Sequence, residues 1–255
     1  MIPKVIHYCW FGNGKKPKLV RDCIKSWKKY HPEWSLREWN EQNSPLEKYP
    51  FAKEAYLRKK WAFVSDVIRL HALYYEGGIY LDTDVEVLKP LHPLQDDELF
   101  MGYERDSNLL QTAVFGASPK NGILKGFLDC YQNLRFSDNA NMMASLVNNR
   151  ILSSYLSTID IVLDGNPVSR PSIRIYPSDF FCPMSYEDHS ILITPNTYCI
   201  HYYSFSWSKP ETLKGRVKYL IVSLIGEKAF RKIVNTLRFG REKAKLVSPL
   251  LAKSV

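Results

Sequence analysis

Apolar and polar positions fall into blocks whose periods change along the chain. Val5 to Phe11 is apolar and rich in β-branched and aromatic residues until glycine and proline break it, which predicts a buried first strand and then a loop. Lys18 to Tyr30 has helical spacing, and Trp34 to Trp39 alternates as a second strand. Phe51 to Tyr75 carries apolar residues at helical spacing, interrupted or bent near Trp61, until Gly77-Gly78 stops the pattern; Ile79-Tyr80-Leu81 resumes as a strand. Further on, Phe100 to Tyr103 and Thr112 to Gly116 read as short strands, with helices from about Asn121 to Leu134 and from Asn141 to Tyr155. This alternation predicts an open α/β sheet with helices on its faces and ligands gathered at the carboxyl ends of the strands.

Composition adds limits. A chain of 255 residues, 45% of them hydrophobic, can bury a sizeable core and fits one domain over 1–210 with an appendage over 211–255. Charge is uneven: Gly215 to Val255 holds ten Lys and Arg against two Glu, so +8 of the net +9 lies there. Basic residues there interleave with Tyr219 to Val222, Leu224-Ile225, Phe230, Ile233-Val234, Leu237 and Phe239. That is an amphipathic helical pattern suited to an anionic membrane surface or to packing on the main domain. No nucleic-acid-binding motif accompanies it. The five scattered cysteines read as reduced thiols. The opening residues lack the layout of a secretory signal, and no apolar run approaches about 18 residues, so the expected setting is cytoplasmic, at most peripheral on the inner face of the membrane.

Candidate chemistry centres on Asp82-Thr83-Asp84, which follows a predicted strand. Two carboxylates at a sheet edge can ligate a hard divalent cation that bridges the phosphates of a donor, although such pairs also occur in surface loops. Asp66 and Arg69, three apart on the preceding helix, share a face; they can grip sugar hydroxyls or form a structural ion pair. Gly77 and Gly78 permit a tight turn and close backbone approach.

Together Ser65 to Val85, the opening Ile2 to Phe11 and the closing His201 to Trp207 resemble glycosyltransferase family 32, the DXD sugar-binding group that includes fungal initiating mannosyltransferases and bacterial capsule enzymes. The resemblance implies a GT-A fold, a Rossmann-like mixed sheet flanked by helices, here with a basic helical C-terminal appendage. It implies a nucleotide-sugar donor, Mn2+ (or Mg2+) and transfer with retention of configuration. Position by position, it makes Asp66, Arg69 and Asp84 catalytic, and gives the donor to Trp10, Asp66, Arg69, Gly77, Gly78, Asp82, Ser206 and Trp207. The metal falls to Asp82, Asp84 and His201. Trp10 would lie by the base, and Ser206 and Trp207 would close over the diphosphate and exclude water. UDP-galactose is the favoured donor, with UDP-glucose, an N-acetylhexosamine donor and GDP-mannose as alternatives. The acceptor is a saccharide, such as a lipid-linked capsule intermediate. Two departures touch sugar and acceptor identity: Gln111-Thr112-Ala113 stands where the family often has an Asn followed by a small residue, and no Gly-Pro step occurs around Asp138 to Met142.

Two other readings compete. Leu81 to Val85 also fits the nucleophile loop of a haloacid-dehalogenase-like phosphatase, with Asp82 attacking phosphorus and Asp160 and Asp164 as a later acid pair around a predicted buried strand, Ile161 to Leu163. A non-catalytic carbohydrate-binding protein could use the 16 Tyr, 12 Phe and 6 Trp as stacking platforms. Trp10 and His201 could equally be buried structural residues.

Overall fold

The computed structural model describes residues 1–137, 139 and 146–204; Ser206, Trp207 and the 211–255 tail lie outside them. The described residues of Met1–Lys15 and Val20–Trp207 form one compact unit. Its elements, in chain order, are β1 Val5–Cys9, α1 Lys18–Tyr30, β2 Ser35–Trp39, α2 Pro50–Leu57, α3 Trp61–Glu76, β3 Gly78–Leu81, β4 Val85–Val87, β5 Leu99–Tyr103 and β6 Leu110–Ala117. There follow α4 Gly122–Cys130, α5 Asn148–Thr158, β7 Val168–Arg170, β8 Ile173–Tyr176, α6 Ser178–Phe181 and β9 Cys199–His201.

Seven strands make one mixed sheet in the order β2-β1-β3-β6-β5-β8-β7. The chain leaves β1 to lay β2 on one side, then returns to lay β3 on the other, both parallel to β1. Such a reversal opens a crevice at the carboxyl ends of β1 and β3, the usual ligand position in open α/β sheets. Beyond it β6 runs antiparallel to both β3 and β5, and β8 parallel to β5. The α/β expectation is met, with a mixed sheet and helices packed against it.

Local chemistry explains the element ends. The long helical pattern splits into α2 and α3 because Lys59 adopts φ 59°, with Lys60 N–H bonding Ala55 C=O at 2.9 Å and Lys59 N–H bonding Tyr56 C=O at 2.9 Å. This is a Schellman stop with lysine where glycine is usual, and of the interruption or bend expected near Trp61 it is the interruption that occurs. Gly77 (φ 67°) and Gly78 (φ 109°) end α3 and start β3; a Cβ on Gly78 would lie 2.5 Å from Val5 Cγ1 and one on Gly77 2.7 Å from the Pro119 ring. Asn121 caps α4 through Ile123 N–H and Leu124 N–H. That helix stops at Cys130, short of the expected Leu134, as Tyr131 turns wholly into the core. Helix α5 starts at Asn148, later than expected, and residues 141–145 are outside the described set. Ile161 to Leu163 is not a strand: Ile161 is buried while Val162 is 71% exposed.

A second sheet of two short strands, β4 and β9, was not expected; it pairs Val85 with His201 and Val87 with Cys199. Helix α1 holds it down, with Trp27 Nε1 donating to Val85 C=O at 2.8 Å and Ser26 Oγ accepting from Val87 N–H at 2.9 Å.

His7, fully buried on β1, joins three elements. Its Nε2 lies 2.8 Å from Gly77 C=O, and Trp39 Nε1 donates to its Nδ1 at 3.1 Å. Only the neutral ring with hydrogen on Nε2 satisfies both partners. Burial drives its pKa down to about 4, helped by the Arg37 charge and opposed by the Gly77 carbonyl. The unfolded ring binds protons from about pH 6.5 downward. The stability His7 contributes is therefore present above that pH and is lost as pH falls toward 4. Nitrogen-15 NMR of the ring should show the Nε2-protonated neutral form persisting at pH 5.5, where a free histidine is mostly charged; a midpoint near 6.5 would contradict this arrangement.

Candidate active site

Strand β3 carries its ladder one residue past Leu81, where Asp82 N–H bonds Ala113 C=O at 2.8 Å; Val85 N–H then bonds Asp82 C=O at 3.0 Å, closing a turn over Asp82-Thr83-Asp84-Val85. The turn sends the chain into β4, so the two acids stand at the carboxyl edge, at the crevice between β1 and β3.

Asp82 is held from the helix side. Arg69, 5% exposed on α3, points one guanidinium nitrogen at Asp66 Oδ1 (3.2 Å) and Asp82 Oδ1 (3.3 Å). Another donates to Thr112 C=O at 2.5 Å. Arg69 Nε donates to Ser65 C=O, and the group lies 4.7 Å from the centre of the Tyr80 ring, whose hydroxyl donates to Asp82 Oδ1 at 2.9 Å. A planar fork can serve this many acceptors at once, which an ammonium cannot. For Asp66, burial is the largest influence and lifts its pKa to about 6, with the Asp82 charge adding to it and Arg69 opposing it.

Asp84 is held from the other side. Its Oδ1 lies 3.3 Å from His201 Nε2, its Oδ2 accepts from Ser204 N–H at 2.7 Å, and its carbonyl accepts from Tyr202 N–H. Burial alone would raise this carboxyl, but His201 and the Ser204 amide outweigh it and hold the pKa at about 2. Conversely, burial would lower His201, and the Asp84 carboxylate raises it well above its ordinary value. One donor atom each from Asp82, Asp84 and His201 lie within 4.8 Å of one another. Two carboxylates and an imidazole converging so closely fit a divalent cation.

The structure thus brings Asp66, Arg69, Asp82, Asp84 and His201 together. Trp10, one residue beyond β1, stands at the same sheet edge, half-buried, its indole N–H on Gly14 C=O at 2.8 Å. Gly77 and Gly78 are not brought to the acids. They occupy the opposite end of β3, roughly 13 Å away for four extended residues, and serve the packing of Pro3, Val5, His7 and Pro119. Asp160 and Asp164, the phosphatase pair, stay in a local loop, where Asp160 C=O accepts from Arg170 and Asp164 caps Asn166. Sequence reasoning missed Thr112 and Ser204. Gln111 and Thr112 were noticed only as a departure; Gln111 Oε1 accepts from Ala113 N–H and Val114 N–H, shaping the strand that offers Thr112 C=O to Arg69. Ser204 acts through its backbone, which leaves no mark in the side-chain pattern.

Fold and site define an α/β protein with an acid-X-acid turn and a histidine at the sheet switch point. Residues 17–101 match the family described as the glycosyltransferase sugar-binding region containing the DXD motif. Residues 17–101 are thus similar to the DXD sugar-binding region of glycosyltransferases. Inositol phosphoceramide mannosyltransferase 1 of Schizosaccharomyces pombe is 28% identical over 141 residues, 48% of this chain and 40% of that protein. Inositol phosphoceramide mannosyltransferase 3 of the same yeast is 34% identical over 109 residues, 36% of this chain and 27% of that protein. This chain thus matches less than half the length of either relative. Among solved structures, the PaToxG glycosyltransferase is 19% identical, covering 62% of this chain and 69% of its own, with a TM-score of 0.48.

Removing Arg69 leaves the buried Asp66 carboxylate and the half-buried Asp82 carboxylate without their cation. Arg69→Ala should lower unfolding free energy by about 3–5 kcal/mol, read from denaturant midpoints. Arg69→Lys, which keeps charge but loses the fork, should fall between it and wild type.

Proposed function

We propose that this protein is a metal-dependent glycosyltransferase of the GT-A type that takes a hexose from a nucleotide-sugar donor to a hydroxyl of a saccharide acceptor. The observation that carries the reading is the convergence of Asp82, Asp84 and His201 at the carboxyl edge of β3, within reach of Arg69 and Asp66 on α3, with both acids inside the stretch that matches a DXD sugar-binding region. In this reading those three residues hold Mn2+ or Mg2+. When bound, the cation supplies positive charge for the diphosphate leaving group. Arg69 fixes the Asp82 carboxylate, and Asp66 faces the donor sugar. Trp10 offers a flat ring for the base. Ser206 and Trp207, from the family resemblance, close over the diphosphate. UDP-galactose remains the favoured donor; two yeast relatives named as mannosyltransferases put GDP-mannose beside it.

Thermal shift with UDP, GDP and their sugar conjugates, with and without Mn2+, should show metal-dependent stabilisation by one base, lost in Asp84→Asn. No response to any nucleotide would favour the phosphatase or carbohydrate-binding alternatives. His201 keeps its proton well above the ordinary histidine range, and a metal must displace it. Affinity for Mn2+ should therefore rise with pH, by about tenfold per unit where one proton is released. Titration calorimetry from pH 6 to 8 measures this, and a pH-independent affinity would remove His201 from the ligand set.

Retention follows from the family resemblance: front-face attack by the acceptor, with Arg69 and backbone donors stabilising the departing diphosphate. NMR of the first-formed product should show the anomeric configuration of the donor, and an inverted centre would sink the front-face route.

A further inference from the structure

Tyr203, two residues after His201, has a left-handed backbone with φ 49°. That bend turns the amides on either side of it to Asp84, Tyr202 N–H to the carbonyl and Ser204 N–H to Oδ2. Glycine adopts this conformation freely, whereas a tyrosine there stores strain of about 1–3 kcal/mol. A large side chain kept in such a place points to a task for its far end.

The Tyr203 ring lies 4.2 Å from that of His201, centre to centre, and its hydroxyl lies 3.0 Å from Cys182 Sγ. Cys182 follows α6 and is fully buried, its N–H bonded to Ser178 C=O at 2.8 Å. Its thiol is in turn a hydrogen-bond partner of the His201 side chain. At the other end, Glu104 faces the Tyr203 hydroxyl and accepts from Ser107 Oγ and Asn149 Nδ2, each at 3.2 Å. Hydrogen bonds thus link the candidate ligand His201 to a carboxylate through a thiol and a phenol.

The end group sets the direction of that chain. Glu104 already accepts two hydrogens and, as a carboxylate, has none to give, so the Tyr203 hydroxyl donates to it. Oη then accepts from Cys182, and the sulphur, its hydrogen placed, accepts from the ring. His201 Nε2 faces Asp84 at 3.3 Å, which leaves Nδ1 as the donor. The opposite direction would set a bare Tyr203 oxygen against the Glu104 carboxylate and leave hydrogen on Nε2.

We propose that Cys182, Tyr203 and Glu104 are positioning residues for His201, a one-way chain of hydrogen bonds that keeps hydrogen on Nδ1 and reserves Nε2 for the divalent cation. The thiol does here what a carbonyl or carboxylate does for most metal-bound histidines. The proposal deepens the metal-dependent reading above and rests on it.

The test is calorimetry of Mn2+ binding to the full chain in wild type, Cys182→Ala, Cys182→Ser and Tyr203→Phe, with thermal midpoints measured alongside. Cys182→Ala should weaken Mn2+ by about 10- to 100-fold, the usual effect of losing such a partner. Cys182→Ser, whose hydroxyl both accepts and donates, should recover most of that loss. Tyr203→Phe, which removes only a hydroxyl, should fall between wild type and Cys182→Ala. If Cys182 served packing alone, serine, a polar group in a buried place, would do no better than alanine. Unchanged affinity in Cys182→Ala, or equal loss in the alanine and serine variants, overturns the proposal while leaving the transferase reading standing. Wild type that binds no Mn2+ removes the metal-dependent reading and the proposal with it. Tyr203→Phe carries the test if Cys182→Ala fails to fold, and unchanged affinity there overturns the proposal as well.

Discussion

Arg69 is the fixed point of this protein. Its guanidinium, enclosed between α3 and the end of the sheet, meets Asp66, Asp82, the Thr112 carbonyl and the Tyr80 ring. Enclosed charge is tolerated only when every donor finds an acceptor. That condition ties α3 to β3 and to β6 in one stroke. It also decides where Asp82 stands, and through the turn that follows, where Asp84 emerges. The two acids answer to different cations, one on a helix and one on a strand, so each is oriented by its own partner.

The second partner comes from far along the chain. Nothing in the seven-stranded sheet positions His201; the two-stranded pairing of β4 with β9 does, clamped by Trp27 and Ser26 of α1. The acid turn is thus the junction of two sheets. Asp82 still belongs to the main ladder through Ala113, whereas Asp84 already belongs to the small one through Tyr202. Such a junction resists displacement from either direction, as a preorganised site requires.

Much of this was legible in the residues. Helix α1 matches its expected bounds, and β1, β2, β3, β5 and β6 differ only at their ends, because each is a run of strong period flanked by breakers. What escaped had physical reasons. The strands β4, β7 and β9 have three residues each, too few to show a period. The break between α2 and α3 was expected near Trp61 as an interruption or a bend, and the choice between them was hidden because the stop uses a lysine in a conformation that sequence associates with glycine. Asp66 and Arg69 share a helix face as their spacing implies, but the turn of Arg69 toward Asp82 depends on how α3 lies on the sheet, which spacing does not encode. The glycine pair looked like part of the site because it is close in sequence; a strand's length separates it in space.

The pairing of β4 with β9 has a consequence for how the site comes into being. Asp84 and the Ser204 amide that holds it are separated by 120 positions. On the ribosome, the acid turn and Arg69 are made long before the strand that brings His201. A nascent chain that has not yet reached β9 has half the cluster and cannot converge three donors on one point. The cluster is therefore a late product of translation, completed only when nearly the whole described fold has been synthesised, and a truncated chain would be silent rather than promiscuous.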